Sequence, residues 1–334
     1  MSEALIQVKD LKKWFPLSLG FVQTIVSRKQ LFVRAVDGIT FDIKKSEVFG
    51  LAGESGSGKT TTGRLLLKLI EPTDGKVIFE GRDIAKLSDS EMKPLRKKMQ
   101  IIFQDPYESL NPRMLVGDII SEPLRVLGLG YEPQKIRALV DQALEDVEMF
   151  PPDEFYFRFP HELSGGQRQR VAVARALVVR PNFIVADEPV SMLDVSIRAE
   201  ILELMMALVE KSGASVLYIT HDLALARHLC DRIAIMYLGN IVEMGTTEQI
   251  IFEPAHPYTN ALISAVPVPD PESQRTEIVV KGEIPSPVNP PSGCKFHTRC
   301  PSYIGDICKT VEPKFADIGK GHVVACHLYG PKKE

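Results

Sequence analysis

The chain has 334 residues, of which 44% are hydrophobic and 25% charged, and 40 basic against 43 acidic side chains leave a net charge of −3. These values exclude a wholly disordered chain, disfavour a polybasic nucleic-acid binder, and predict about two domains. No apolar run reaches the ~18 residues of a membrane span, and the N-terminus lacks the pattern of a secretory signal. The sequence therefore predicts a cytosolic protein that reaches a membrane only through a partner and does not bind nucleic acid.

The first quarter of the chain combines predicted strands with one irregular stretch. Short β-branched or alternating apolar runs predict strands at residues 6–8, 32–36, 39–43 and 48–52. Residues 14–30 form an irregular insertion between the first two of these strands, and residues 61–70 have a helical pattern that ends in turn residues.

Helical patterns replace strand patterns further along the chain. The predicted helices there are 116–127, 133–149 and 166–179, which predicts an inserted helical subdomain over about residues 105–180. Strands and helices then alternate at 183–186, 198–211, 215–220 and 222–231. A hairpin joins 233–237 to 241–244 through Gly239 and Asn240. This alternation predicts an α/β fold with a largely parallel sheet.

A glycine-rich loop lies between the predicted strand 48–52 and the helix that follows it. Residues Gly53–Thr60 read GESGSGKT, which matches the phosphate-binding pattern G-x-x-x-x-G-K-[ST]. Glycines let backbone N–H groups close around phosphate oxygens, and the helix N-terminus adds a positive dipole. In this pattern Lys59 reaches the β- and γ-phosphates, and Thr60 binds Mg²⁺. The order of strand, loop and helix is the one that the mechanism requires.

An apolar run that ends in two carboxylates supplies the acidic partner of such a loop. Phe183–Ala186 predicts a buried strand, and Asp187 and Glu188 follow it directly. Asp187 is placed to support Mg²⁺, and Glu188 is placed to act as a general base toward an attacking water. Apolar runs that end in an acid are common, so this interpretation depends on the phosphate loop upstream.

A second anion-binding signal opens the predicted helix 166–179. Residues Leu163–Gln167 read LSGGQ, and a serine with two glycines at a helix N-terminus can bind an anion. A serine and two glycines alone would more often be a simple helix cap. The whole pentapeptide, shortly before a strand that ends in carboxylates, is far more specific.

Together these motifs resemble the nucleotide-binding subunits of ABC transporters, and the resemblance covers about residues 6–262. It implies an α/β fold: a P-loop ABC ATPase with an inserted helical subdomain and a small cysteine-rich C-terminal tail. Residues 1–265 would form the nucleotide-binding domain. The resemblance also implies that two such subunits, identical or paralogous, dimerise head to tail. Each ATP would then lie between the phosphate loop of one chain and Leu163–Gln167 of the other.

The resemblance also implies roles for single residues. The expected catalytic residues are Glu188, His221 as the switch histidine, and Gln104 of the Q-loop. The expected Mg²⁺ ligands are Thr60, Gln104 and Asp187. Phe15, or its neighbour Trp14, is expected to stack on adenine. The other expected ATP contacts are Gly53, Ser55, Gly56, Ser57, Gly58, Lys59, Thr60 and Thr61 in one chain, and Ser164, Gly165, Gly166, Gln167 and the D-loop residue Asp194 in the other.

The C-terminal part narrows the resemblance to the ATPases of oligopeptide and dipeptide ABC importers. Three segments carry it: His256–Leu262, Gly282–Pro287 and Gly293–Pro301. It implies a cytoplasmic ATPase at the membrane face, working with two permease subunits, a second ATPase subunit and a solute-binding protein. The expected function is ATP-driven import of oligopeptides or dipeptides. Import of nickel or an oligosaccharide, and an exporter ATPase, are the alternatives.

Other functional classes fit the sequence less well. A DNA-repair ABC ATPase would carry long coiled-coil arms between Gln104 and Leu163, and this interval is too short for them. A translation-associated ABC protein would carry two cassettes, whereas this chain has one set of motifs. A non-enzymatic module would lack Glu188 or His221.

Residues 266–334 combine a proline-rich linker with four of the five cysteines. Cys294, Cys300, Cys308 and Cys326 are not spaced as a zinc ribbon, and a cytosolic disulfide framework is disfavoured. Four thiolates suit either Zn²⁺ or a [4Fe–4S] cluster, and the resembled importer branch includes members with a cluster in this tail. We expect a structural [4Fe–4S] site, with zinc and free thiols as alternatives. His297, His322 and His327 are possible substitute ligands.

Overall fold

The computed structural model describes residues 3–17, 30–129, 131–266, 278, 280 and 282–330. Its strands are β1 (Ala4–Pro16), β2 (Phe32–Lys44), β3 (Val48–Ala52), β4 (Asp74–Phe79), β5 (Arg82–Asp83), β6 (Met99–Ile102), β7 (Phe183–Asp187), β8 (Ser215–Thr220), β9 (Arg232–Tyr237), β10 (Asn240–Thr246), β11 (Ala316–Gly319) and β12 (His322–Val324). Its helices are α1 (Lys59–Leu66), α2 (Asp89–Arg96), α3 (Pro106–Ser109), α4 (Val116–Val126), α5 (Pro133–Asp146), α6 (Pro152–Tyr156), α7 (Gly165–Leu177), α8 (Val195–Ser212), α9 (Leu223–Leu229), α10 (Thr247–Phe252), α11 (Pro257–Ser264) and α12 (Asp306–Thr310). In the part of the chain that the structure describes, no helix has the length and apolar character of a membrane span.

The chain divides into two compact units, each built from several segments. The first unit comprises Met1–Leu5, Ile43–Glu47 and Lys86–Ile219. The second unit comprises Ile6–Asp42, Val48–Ala85 and Thr220–Glu334.

The first unit contains a parallel sheet in which β7 lies between β6 and β8. Every residue of β7 and β8 is buried, as expected for parallel strands whose two faces are both covered. The segment between β6 and β7 holds α3 to α7, and α4 packs against α5, α6 and α7. The apolar residues that repeat along α4 at helical spacing, Val116, Ile119, Ile120 and Leu124, are all buried. The helices expected over about residues 105–180 are therefore present, and their grouping into a subdomain of their own stays a prediction.

The second unit contains two groups of paired strands. One runs in the order β2, β1, β4, β5, with β1 antiparallel to β4. The other runs β11, β12, β10, β9, β3, in which β3 and β9 are parallel and the remaining pairs are antiparallel. The short apolar run that forms β3 is fully buried and leads into the loop before α1. The last strand pairing, Glu243 with Val324, joins the C-terminal tail to the edge of this sheet.

Several predicted boundaries are wrong by a few residues, for identifiable reasons. The two strands predicted at 32–36 and 39–43 are one strand, β2, because Gly38 continues the strand with φ of 87°. The hairpin is confirmed, but its turn is Leu238–Gly239, whose φ angles are 41° and 82°. Positive φ at both central positions is what a type I′ turn requires. Asn240 instead starts β10, and its side-chain amide donates to the carbonyl of Asp37 at 2.6 Å.

Two predicted irregular segments are only partly described. β1 continues through Pro16, so Trp14 and Phe15 are strand residues rather than part of an insertion. Residues 18–29 of the predicted insertion, and most of the predicted linker before residue 282, lie outside the described residues.

Candidate nucleotide-binding site

The loop between β3 and α1 has a backbone that only glycine fits at two positions. Gly53 has φ of 151°, and a Cβ there would lie 2.2 Å from the carbonyl oxygen of Met236. Gly58 has φ of 106°, and a Cβ there would lie 2.1 Å from the carbonyl oxygen of Ala35. Both distances are far below van der Waals contact, and both φ values disfavour L side chains. At Gly53 and Gly58 the loop therefore packs directly against the backbone of Met236 and Ala35.

The loop curls around the ammonium group of Lys59. Its Nζ donates to the carbonyl oxygens of Gly53 and Glu54, at 2.8 and 2.9 Å. Gly56, with φ of 76°, faces open space where a Cβ would meet nothing within 4 Å. The hydroxyl of Ser57 is buried and has no hydrogen-bond partner among the described residues.

These features fit a phosphate group. A buried hydroxyl without a partner and a central ammonium can both bind phosphate oxygens, and the open space beside Gly56 leaves room for them. α1 begins at this loop, and its first turn carries Thr60 and Thr61 but no acidic residue that would oppose an anion.

The end of β7 brings together two of the expected catalytic residues. The side-chain amide of Gln104 donates to the carboxylate of Glu188 at 3.1 Å, although 84 positions separate them. The N–H of Glu188 donates to the carbonyl of Ile219, and the hydroxyl of Ser191 donates to the carbonyl of Glu188, both at 3.0 Å. Glu188 adopts φ of 44°, which turns the chain sharply after the buried Asp187. This arrangement holds the carboxylate of Glu188 in one place.

The LSGGQ segment forms the start of α7. The hydroxyl of Ser164 accepts from the N–H of Gln167 at 3.2 Å, and the side chain of Gln167 accepts from the N–H of Ser164 at 3.0 Å. This reciprocal capping box fixes the helix start. A Cβ on Gly166 would lie 3.0 Å from the side chain of Ile197 in α8, whereas one on Gly165 would meet only ordinary contacts at 3.5 Å. Ser164 is exposed, so this helix start is open to a ligand.

Arg198 is a residue in this region that sequence reasoning missed. Its Nε donates to the carbonyl of Leu193 at 2.8 Å, and its Nη2 donates to the carbonyl of Ser191 at 3.3 Å. These bonds fix the turn that leads into Asp194, the N-cap residue of α8. An arginine four residues into a helix after a loop is a weak signal, and only the contacts reveal its role.

Phe15, His221 and the phosphate loop all lie in the second unit. His221 is exposed and directly follows β8. Phe15 is 37% exposed, with the ammonium of Lys13 5.0 Å from its ring centre. Trp14 is more constrained, because its indole N–H donates to Asp37 at 2.9 Å and the guanidinium of Arg34 stacks on its ring. Of the two aromatic candidates, Phe15 is thus the one with more exposed surface.

The four tail cysteines lie near one another in the structure. Burial, together with the neighbouring thiols of Cys326, Cys300 and Cys308, raises the pKa of the Cys294 thiol to about 11. The N–H of Cys294 donates to the carbonyl of Cys308 at 2.9 Å. All four thiols are free. Within the described residues, no group of three or more His, Cys, Asp or Glu side chains is arranged to hold a metal ion.

The three histidines considered as substitute ligands have other partners. His322 is buried and its Nε2 lies 2.7 Å from the carboxylate of Glu243. His297 Nδ1 lies 2.9 Å from the carbonyl of Cys294, and His327 Nε2 lies 2.8 Å from the carbonyl of Val311. Each of these bonds involves one of the two ring nitrogens, so the role of the three histidines as substitute ligands stays a prediction.

A glycine-rich loop between a buried strand and a helix, with an ammonium at its centre, defines a P-loop nucleotide-binding protein. Comparison with protein families adds two matches: an ABC transporter domain over residues 36–191 and an oligopeptide/dipeptide transporter C-terminal region over residues 242–308. The chain belongs to the ABC transporter family, as an ATP-binding subunit of the type that carries the oligopeptide/dipeptide C-terminal region. It is an ATPase of the kind coupled to transport.

Relatives and solved structures agree with this assignment. The putative oligopeptide transport ATP-binding protein YkfD of Bacillus subtilis is 48% identical, covering 97% of this chain and 95% of its own. A putative peptide import ATP-binding protein of Brucella ovis is 50% identical, covering 88% of this chain and 92% of its own. The ABC cassette MJ0796, solved as a dimer with ADP and phosphate, has a TM-score of 0.62 and 28% identity, covering 72% of this chain and 98% of its own.

Proposed function

We propose that this chain hydrolyses ATP to drive the import of oligopeptides or dipeptides through membrane permease subunits. The choice of peptides as the solute rests on the match of residues 242–308 to the oligopeptide/dipeptide transporter C-terminal region. The names of the relatives from Bacillus subtilis and Brucella ovis support the same choice.

In this proposal each expected residue has a definite part in the reaction. The phosphate loop, with Lys59 and Thr60, binds the phosphates of ATP, and Thr60, Gln104 and Asp187 would hold Mg²⁺, which offsets the charge of the phosphates. Glu188 accepts the proton of the attacking water, and its hydrogen bond with Gln104 keeps the carboxylate in place. His221 and Phe15 act in the same cycle, as the switch histidine and the adenine-stacking ring.

The expected assembly places this ATPase at the cytoplasmic face of the membrane. We propose that it pairs with a second ATPase subunit, identical or paralogous, so that Ser164–Gln167 and Asp194 of one chain complete the nucleotide site of the other. The dimeric state of the MJ0796 cassette supports this arrangement. Two permease subunits would contact the helical subdomain, and a solute-binding protein would deliver the solute.

The proposal is tested with the complete transporter reconstituted in liposomes, with this chain, its permeases and its solute-binding protein. Labelled dipeptides and oligopeptides are expected to accumulate inside with ATP and to stimulate ATP hydrolysis. Nickel and oligosaccharides serve as competing solutes, and transport of one of these in place of peptides would overturn the choice of solute. Movement in the opposite direction would identify an exporter.

We also propose that Cys294, Cys300, Cys308 and Cys326 hold a structural [4Fe–4S] cluster. Two observations support a shared site: the thiols of Cys300, Cys308 and Cys326 neighbour that of Cys294, and the N–H of Cys294 donates to the carbonyl of Cys308. On binding, the four thiols would lose their protons, and the resulting thiolates would ligate the iron.

Anaerobically purified protein is therefore expected to be brown, with broad absorbance at about 400 nm and about four irons and four sulfides per chain. Cys300→Ser should lower the iron content, whereas Cys230→Ser should not, because the buried Cys230 lies outside the tail. Colourless protein with one zinc per chain would contradict the cluster but keep a four-thiolate site. Protein with neither metal would contradict both.

A further inference from the structure

Glu54, the second residue of the phosphate loop, is held through all of its polar groups. Its N–H donates to the hydroxyl of Tyr258 at 2.9 Å, and its carbonyl accepts from Lys59 at 2.9 Å. Its carboxylate accepts two bonds from the guanidinium of Arg299, at 2.9 Å from Nη1 and 3.3 Å from Nη2. The paired geometry of this ion pair fixes both the position and the orientation of the carboxylate.

Arg299 belongs to the cysteine-bearing tail, 245 positions from Glu54. Its side chain is 10% exposed, and its Nη1 also lies 3.4 Å from the hydroxyl of Tyr237. Next to it, the fully buried ring of Phe296 contacts the rings of Tyr237 and Tyr258, with centroids 5.3 Å apart in each pair. The tail is therefore joined to the phosphate loop directly by the ion pair, and indirectly by Phe296, which packs on the Tyr258 ring whose hydroxyl accepts from Glu54.

The position of Arg299 depends on the fold of the cysteine segment. Its N–H donates to the carbonyl of Phe296 at 3.0 Å, within a short turn that begins at Cys294 and ends before Cys300. The N–H of Cys294 donates in turn to the carbonyl of Cys308. Arg299 directly precedes Cys300, and its bonded partner Phe296 lies two residues after Cys294, so a displacement of these cysteines would act on the backbone that carries Arg299.

The ion pair also neutralises a negative charge in the phosphate loop. Glu54 places a carboxylate in a loop whose ligand is a polyanion, and Arg299 is the partner that offsets this charge. Without Arg299, the half-buried carboxylate would lack its cation, would repel incoming phosphates, and would be free to pull the loop from its present shape.

We propose that the cysteine-bearing tail controls nucleotide binding, with Arg299 as a positioning residue that holds and neutralises Glu54 in the phosphate loop. The chemical state of the four cysteines then sets the affinity for ATP. This inference rests on the proposed function, since it concerns the same nucleotide site.

The test measures the affinity of the full chain for a fluorescent ATP analogue, without hydrolysis. Arg299→Met keeps most of the apolar contact and removes the charge, and it is expected to weaken binding by about tenfold, within the usual range of coupling between sites. Glu54→Gln should change affinity much less, because the charge that it leaves without a partner is the cation of Arg299, which attracts phosphate rather than repelling it. The double variant should match Glu54→Gln. Lys309→Met, which removes an exposed cation elsewhere in the tail, should bind like the wild type.

The link to the cysteines is tested by alkylating the thiols with N-ethylmaleimide after any bound metal has been removed with a chelator. Alkylation is expected to weaken nucleotide binding in the wild type and to have little effect on Glu54→Gln, in which position 54 no longer carries a charge that Arg299 must neutralise. If circular dichroism shows that Arg299→Met does not fold, the comparison of the wild type with Glu54→Gln after alkylation still tests the inference.

Three results would overturn the inference: Arg299→Met that is folded and binds like the wild type, a double variant as weak as Arg299→Met, or equal sensitivity of Glu54→Gln to alkylation. Failure of the wild type to bind the analogue would instead count against the proposed function itself.

Discussion

Replacing Glu188 with glutamine is expected to preserve ATP binding and to lower the rate of hydrolysis by about 10²–10⁴-fold, the usual loss when a general base is removed. Glutamine has nearly the same shape, and its amide oxygen can still accept the bond from Gln104 that the carboxylate accepts at 3.1 Å. Glutamine is also strained no more than glutamate by the φ of 44° at this position. What glutamine cannot do is accept the proton of the attacking water.

The measurement is steady-state phosphate release alongside nucleotide binding, both on the purified chain. The variant should retain ATP for long periods, and an ATP-dependent dimer should accumulate in size-exclusion chromatography. Glu210→Gln, at an exposed position on α8, is the matched control and should hydrolyse ATP like the wild type. Hydrolysis by Glu188→Gln at close to the wild-type rate would assign the base to another residue.

Mixing Ser164→Arg chains with Lys59→Ala chains is expected to restore nucleotide trapping that neither variant shows alone. Lys59 and Ser164 lie in different compact units, and both are placed to bind the same terminal phosphate in the proposed head-to-tail dimer. A mixed dimer then has one site with both residues intact and one site with both changed. Each variant alone forms dimers in which every site lacks one residue.

The expected trapping in an equimolar mixture is about a quarter of the wild-type value, since half of the dimers are mixed and each has one of two sites intact. Arginine at position 164 also removes a helix cap, so a control with the same change is needed. Thr246 caps α10 with the same pattern, because its hydroxyl accepts from the N–H of Gln249 at 3.3 Å. Thr246→Arg should trap nucleotide normally, and a mixture that traps none would indicate sites built within single chains.

Local sequence determined the phosphate loop, the acidic end of β7 and the start of α7. In each case the chemistry depends on neighbouring residues: Gly53 and Gly58 permit the turn, and the capping box from Ser164 to Gln167 begins the helix. The alternation of strands and helices likewise determined the α/β class and the helices over about residues 105–180. Boundaries were less accurate where a glycine extended a strand, as at Gly38, or where a turn moved by one position.

Contacts between distant residues were decided only by tertiary structure. The bonds of Gln104 with Glu188 and of Arg299 with Glu54 join positions 84 and 245 apart, and no local pattern encodes which partner an amide or a guanidinium will meet. The motif around Tyr258 marked a family resemblance, but not that its hydroxyl accepts from the N–H of Glu54. The sequence thus specified which groups could bind a nucleotide, because that ability lies in short segments. The fold specified that the C-terminal tail holds the phosphate loop, because side-chain pairing depends on how separate segments pack.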